Sequence, residues 1–229
     1  MYFFLSFFLM TVPKAFADEP WVNLFDGKTL AGWEQKGGQA SYRVEDGQIV
    51  GKTVLGTPNS FLCTKQFYSD FILELEFKVD SKLNSGIQIR SNSFPEYENG
   101  VVHSYQVEID GILTGGIYDE ARRGWLDNID GKNAAQQAFK ADQWNKLRIE
   151  AIGNTIKTWV NDVPAAHLFD TMTEAGFIGL QVHSVPNDKE HDGIEIRWRN
   201  IRIIDKSPAS FAKTSPLPLV SMDNKLSEV

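Results

Sequence analysis

The chain of 229 residues holds a single cysteine, Cys63, so no intrachain disulfide can staple it. Cys63 lies in the strand-like run SFLCTK, reads as a small buried hydrophobe, and has no partner histidine placed near it by the sequence. Basic clusters are also missing, the longest being the pair Arg122-Arg123, and the net charge is −7. That balance excludes the basic footprint that nucleic-acid binding needs. There is no GxSxG elbow, no HExxH, no phosphate-cradling glycine loop and no dinucleotide fingerprint. No cofactor is therefore implied. A divalent metal has no support beyond one polar loop with ligand-type side chains, Asp188, Glu190, His191 and Asp192.

Long apolar runs are absent except at the start. Tyr2 to Val12 is apolar and is followed by Ala15-Phe16-Ala17, a small-x-small cleavage pattern. The run is short for a bilayer span, so residues 1–17 read as a secretory signal peptide cut after Ala17. No lysine or arginine precedes the run, which keeps an uncleaved anchor as the alternative. An exported protein, periplasmic or secreted, follows, with no membrane span once the signal is removed. The sequence carries no indication of oligomeric state.

Helical periodicity is scarce too. Residues 18–205 read as one domain of strands and turns, and GKNAAQQAFKADQW is the one place for a short helical turn. FILELEFKVD alternates, with Phe71, Leu73, Leu75 and Phe77 on one face and acids on a face expected to be plain solvent surface. Asp46-Gly47, Gly115-Gly116 and Asn161-Asp162 mark turns. Many short strands with such punctuation predict an all-β sandwich or jelly roll. From Lys206 the composition changes to a Pro- and Ser-rich stretch, so 206–229 is expected to be a flexible tail, with a strap across the domain as the alternative.

Four strands then offer polar rows opposite apolar ones, because residues two apart share a face. Gln88 and Arg90 share one in SGIQIRS, and Gln106, Glu108 and Asp110 share one in SYQVEID. Tyr118 and Glu120 align in GGIYDE, and Gln181 and His183 align with Gly179 in GLQVHS. A wet face is the ordinary reading of any single row. The combination suits a saccharide cleft. Amides and guanidinium groups bond hydroxyls and carbonyls, carboxylates and histidine move protons, and a ring gives an apolar platform. Arg90 beside Glu108 would keep that carboxylate ionised. Trp125, in the loop-like RRGWLDN, is the platform candidate; Trp33, Trp144, Trp159 and Trp198 read as core. His103 has the parity of Tyr105 and needs a bulge to reach the cleft. His167 reads as structural or exposed. Arg122 and Arg123 read as surface partners of Asp119 and Glu120.

The series Glu108-Ile109-Asp110 is similar to the E-I-D-x-E strand of laminarinase-type glucanases, but Ile112 stands where the last acid belongs. Glu108 and Asp110 alone lie about 7 Å apart along a strand, which does not make a retaining pair. The glucanase mechanism is not carried over.

As a whole the chain resembles the 3-keto-disaccharide hydrolase domain family. The matching stretches are WVNLFDGKTLAGWE, YRVEDGQIVG, NSGIQIRS, HSYQVEID, GGIYDE, WNKLRIEAIGNTIKTWVNDVPAA, GFIGLQVHS and WRNIRI, from Trp21 to about Asp205. The resemblance implies an all-β, concanavalin A-like jelly-roll sandwich of two antiparallel sheets in an exported bacterial protein acting on a saccharide oxidised at C3. A C3 ketone acidifies the C2 proton, so a base removes it, a donor steadies the enolate oxygen and an acid assists the C1 group. On that reading Glu108 or Asp110 is the base, Arg90 with Gln88 steadies the oxyanion, and His183 or Glu120 is the acid. Tyr118 and Gln106 orient the ring, with His103 and Trp125 as further binding candidates. The alternatives are a non-catalytic carbohydrate-binding module and a glycosidase for unoxidised sugars.

Overall fold

A computed structural model describes residues 19–131, 133–185, 187 and 189–223. The expected signal peptide lies outside them. Among the described residues no helix is long and apolar enough to cross a membrane.

The strands in chain order are β1 (Val22–Asn23), β2 (Trp33–Gly37), β3 (Ser41–Glu45), β4 (Gln48–Lys52), β5 (Ser60–Thr64), β6 (Phe71–Val79), β7 (Ser85–Ser91) and β8 (Ser104–Ile109). They continue with β9 (Ile117–Glu120), β10 (Gly124–Asp127), β11 (Asn145–Ile152), β12 (Thr155–Val160), β13 (Val163–Phe169), β14 (Phe177–Val182), β15 (Glu195–Ile204) and β16 (Val220–Ser221). Among the described residues one α-helix, α1 (Asn133–Ala138), lies in the stretch expected to hold a helical turn, besides three short 3-10 turns. The strands form two sheets. The first runs β16-β13-β12-β11-β6-β15-β4-β3, with β1 beside β15; the second runs β10-β9-β8-β7-β14-β5-β2. Every pairing between these strands is antiparallel except β13 with β16.

The turn chemistry accounts for the hairpins. Asp46 and Gly47 between β3 and β4, and Asn161 and Asp162 between β12 and β13, all have positive φ, as tight two-residue hairpins require. The alternating apolar rows meet between the sheets. Phe71, Leu73, Leu75 and Phe77 of β6 pack with Leu147, Ile149 and Trp198 on one side. Ile87, Tyr105, Val107, Ile109, Ile117 and Leu180 come from the other. Each such side chain contributes about 1.5–3 kcal/mol by leaving water. This is a jelly-roll sandwich.

Two expectations change. The acid row of β6 is not plain surface: Glu74 is buried and held by Arg148, Arg202 and Lys146, and Glu76 pairs with Arg199. Hydrogen bonds from Arg202 and Arg148 outweigh the desolvation that would raise Glu74, and its carboxyl stays below the usual range. The expected flexible tail is, from Lys206 to Asp223, a strap. Val220–Ser221 pairs with Leu168 and Phe169, the Lys213 amide donates to buried Glu150, and Arg148 donates to the Phe211 carbonyl. Backbone hydrogen bonds do this work, so the segment needs no apolar periodicity to dock.

Candidate functional site

Strand β8 is the key to the site because both of its faces are covered. Tyr105, Val107 and Ile109 lie in the core, which turns Gln106 and Glu108 outward. A wet face would expose them, yet Gln106 is 2% and Glu108 4% exposed. They floor a cavity of about 360 Å3 on the outer side of the second sheet, within the range of small-ligand sites. Asp110, Tyr118, Glu120, Trp125, Gln181 and His183 also line it, with Asn59 and Asn84.

The cavity exists because the sheet curls. Strands β9 and β5 stand four positions apart, about 19 Å in a flat sheet. Nevertheless Asn59 Nδ2, one residue before β5, donates to Glu120 Oε1 at the end of β9 over 3.0 Å. Asn59 Oδ1 in turn accepts from the Ser184 amide at 2.8 Å. One asparagine thus closes the sheet's two flanks over its own face.

Along the floor runs a relay of hydrogen bonds with a fixed direction. Ser91 Oγ donates to Gln88 Oε1 at 2.5 Å, Gln88 Nε2 to Gln106 Oε1 at 2.8 Å, and Gln106 Nε2 to Glu108 Oε1 at 2.5 Å. Gly86 makes room for it: a Cβ there would lie 2.4 Å from Gln106 Cδ. An amide N–H only donates, so Glu108 Oε1 is committed as an acceptor. Any proton on Glu108 sits on Oε2, where Asn84 Nδ2 approaches to 3.4 Å.

Burial pushes the Glu108 carboxyl up from 4.5 to about 7. The Gln106 bond opposes the rise, and the charge of Glu120 adds to it. Glu120 is likewise raised by burial, against the Asn59 bond and the nearby His183. His183 Nδ1 lies 2.9 Å from the Ser184 carbonyl, an acceptor only, so Nδ1 carries the hydrogen and Nε2 is the free nitrogen of the neutral ring. Tyr118 and Trp125 meet edge to face at 5.4 Å and form an aromatic wall. Gln181 is fully buried, and neither its Nε2 nor its Oε1 has a protein partner. A buried amide with both ends unsatisfied is costly, and its place in the lining means that a bound molecule can satisfy it.

This arrangement of carboxyls, amides and aromatic wall suits a polyhydroxylated ring. The sequence matches the model of the 3-keto-alpha-glucoside-1,2-lyase-like domain over residues 20–204. The chain belongs to that family. No curated protein sequence matches it. Among solved structures, a protein from Parabacteroides distasonis proposed to be a glycosyl hydrolase is similar at 18% identity and a TM-score of 0.60, covering 82% of this chain and 94% of the other. The carbohydrate-binding module CBM66 from Bacillus subtilis is similar at 16% identity and 0.52, covering 74% and 93%. A B. subtilis protein with a galectin-like fold is similar at 10% identity and 0.55, covering 77% and 90%. These likenesses show the fold.

Two expected residues of this lyase-like domain lie elsewhere. Arg90 is not beside Glu108. A bulge between β7 and β14 places two residues of β7 opposite one, and Arg90 takes φ +48. Its side chain leaves the face and bonds the carbonyls of Ser69 and Gly153 and the Asp70 carboxylate, at 2.7, 2.8 and 3.1 Å. Glu108 is therefore raised, not held ionised by an arginine. His103 is buried between Phe94 and Tyr97, its Nδ1 3.0 Å from the Val101 carbonyl, outside the cavity. Gln88 lies under the site and acts through the relay. Trp125 belongs to a strand and not to a loop. Trp144 is not core but stacks under Arg199 at 3.9 Å. Arg122 and Arg123 clamp Asp119, which is fully buried, so they are not surface pairs. Of the polar loop, Asp188 lies outside the described residues, and the described residues hold no group of three or more metal-ligand side chains.

Asn59 and Asn84 escape a reading of the sequence because each stands in a loop, where strand parity says nothing. Gln181 carries a signal, its place in the polar row of GLQVHS, that points to the site without naming its role.

Proposed function

We propose that the protein is an exported carbohydrate-active enzyme that cleaves the glycosidic bond of 3-keto-glycosides by C2 proton abstraction, 1,2-elimination and hydration. The observation that carries this reading is Glu108: a buried carboxyl at the end of a directed amide relay, ionising at about 7, in a cavity shared with Glu120 and His183. A saccharide-binding module has no use for a carboxyl tuned to neutral pH. A general base is most effective when its pKa approaches the working pH.

In this scheme the ionised Glu108 takes the C2 proton on Oε2. The electron pair forms the C2–C3 enolate, and the C3 oxygen accepts from the unpartnered Gln181 Nε2. The enolate expels the C1 substituent and leaves a C1–C2 double bond conjugated with the ketone. As an imidazolium, His183 gives the proton on Nε2 to the departing oxygen, next to Glu120 in the same cavity. Water then adds across the double bond: hydroxide joins C1 as His183 takes back a proton, and Glu108 returns its proton to C2. Tyr118 and Trp125 hold the apolar face of the ring.

The test is to incubate the protein with matched native and 3-keto disaccharides and assay for released monosaccharide. Release from the oxidised substrate alone supports the scheme. Binding without product indicates a module, and release from the native sugar indicates an ordinary glycosidase.

A further inference from the structure

A second cavity, of about 220 Å3, opens beside the first. Lys82, Leu83, Asn84, His183, Ser184, Val185 and His191 line it. Two of these residues, Asn84 and His183, line both cavities. They stand where the β6–β7 connection and the end of β14 come together. The two spaces differ in character. The first is walled by carboxyls, amides and aromatic edges, whereas Leu83 and Val185 give the second an aliphatic floor under a rim of Lys82 and His191.

A group that protonates a leaving oxygen must touch the atom joining the two halves of the substrate. His183 occupies that junction. Its Nδ1 is tied to the Ser184 carbonyl, so the proton it can give is the one on Nε2. Asn84 adds a second marker at the same place: its Nδ2 is turned to Glu108, and its buried Oδ1 has no protein partner. It can accept a hydroxyl at the boundary between the two spaces.

We propose that the second cavity is the leaving-group subsite, and that it selects a leaving group presenting the apolar face of a ring. The proposal rests on the reading that the first cavity holds the reacting sugar. It orients the substrate: the 3-keto ring lies over Gln106 and Glu108, the glycosidic oxygen lies between Asn84 and His183, and the leaving group lies on Leu83 and Val185. A phenyl group and the carbon face of a second hexose both satisfy that chemistry.

The test uses methyl, phenyl and glucosyl 3-keto-glucosides on the full chain and on Ser184→Trp, which fills the second cavity. Dissociation constants are read by calorimetry and turnover by product release. The expected result is that the wild type binds the phenyl or the glucosyl compound at least tenfold more tightly than the methyl compound, and that Ser184→Trp removes the preference. If Ser184→Trp does not fold, Lys82→Trp places the same bulk at an exposed rim position. A preference equal in wild type and variant, or no preference in the wild type, overturns the proposal. Turnover reports separately on the reaction. Absent turnover with a variant-sensitive preference would defeat the elimination scheme and keep the subsite, and turnover with a variant-insensitive ratio would do the opposite.

Discussion

Replacing Glu108 by glutamine separates the cost of the site from its use. The wild-type carboxyl ionises at about 7 against 4.5 for a free glutamate. A folded pKa above the unfolded one means that the folded chain binds the proton more tightly. The stability from that proton is complete below pH 4.5 and is lost as pH rises through 7. The gap corresponds to about 3 kcal/mol. The substituted amide cannot ionise, is of similar shape and still offers Gln106 an oxygen acceptor, so the variant escapes the loss. For a domain of this size each kcal/mol moves the Tm by about 2–4 °C. The difference in Tm, Glu108→Gln minus wild type, should therefore grow by about 6–12 °C between about pH 4.5 and pH 8.5. Glu120 shifts in the same direction, and its own burial is common to both proteins and cancels; its repulsion of Glu108 is part of the difference measured. The assay is a pair of thermal melts at each pH, with turnover of a 3-keto-glucoside measured alongside, where the variant should lose at least ~100-fold. A Tm difference that stays flat with pH would refute the assignment of a buried, uncompensated carboxyl, whatever the activity did.

Gln106→Leu removes the hydrogen bond that holds Glu108 down, so the rising limb of the pH profile of kcat/KM should move to higher pH; a limb that stays in place would separate the relay from the base. Gly86→Ala puts a methyl into Gln106 and should cost about 1–3 kcal/mol of stability and at least ~10-fold in turnover, checked by melts and kinetics on the folded protein. His183→Ala should lower turnover by at least ~100-fold, with the larger effect on substrates whose leaving group needs a proton most. Arg90→Ala leaves the carbonyls of Ser69 and Gly153 without their donor, so it should lower the Tm while kcat per folded molecule stays near wild type.

Strand parity made much of the second sheet legible before any coordinates. Gln106, Glu108, Tyr118, Glu120 and His183 share one face because their apolar neighbours are claimed by the core, and period two leaves them nowhere else to point. Parity failed at Arg90, because one added residue in a bulge reverses every assignment beyond it and bulges carry no reliable composition signal. Gly176 marks the place in retrospect, since a Cβ there would collide with the backbone of Arg90 and Ser91. Parity was also silent on burial. Glu74 and Glu108 stand in similar alternating runs, yet one is surrounded by Arg148, Arg202 and Lys146 and the other by amides and carboxyls. That difference comes from neighbouring strands far away in sequence. The sequence left the strap only as the alternative to a flexible tail, because backbone pairing places few demands on side chains.

The single asparagine that spans from the approach to β5 across to β9 has a further meaning. Asn59 meets Glu120 from 61 positions away and Ser184 from 125. Contacts so distant along the chain carry a large loop-closure cost that local contacts do not. A chain lacking either flank would lose the bond of Asn59 to Glu120 or to Ser184, and with it the enclosure around Glu108. The neutral-range ionisation of that carboxyl is thus a property of the finished molecule alone, and its titration can serve as an internal reporter that the last strands have come home.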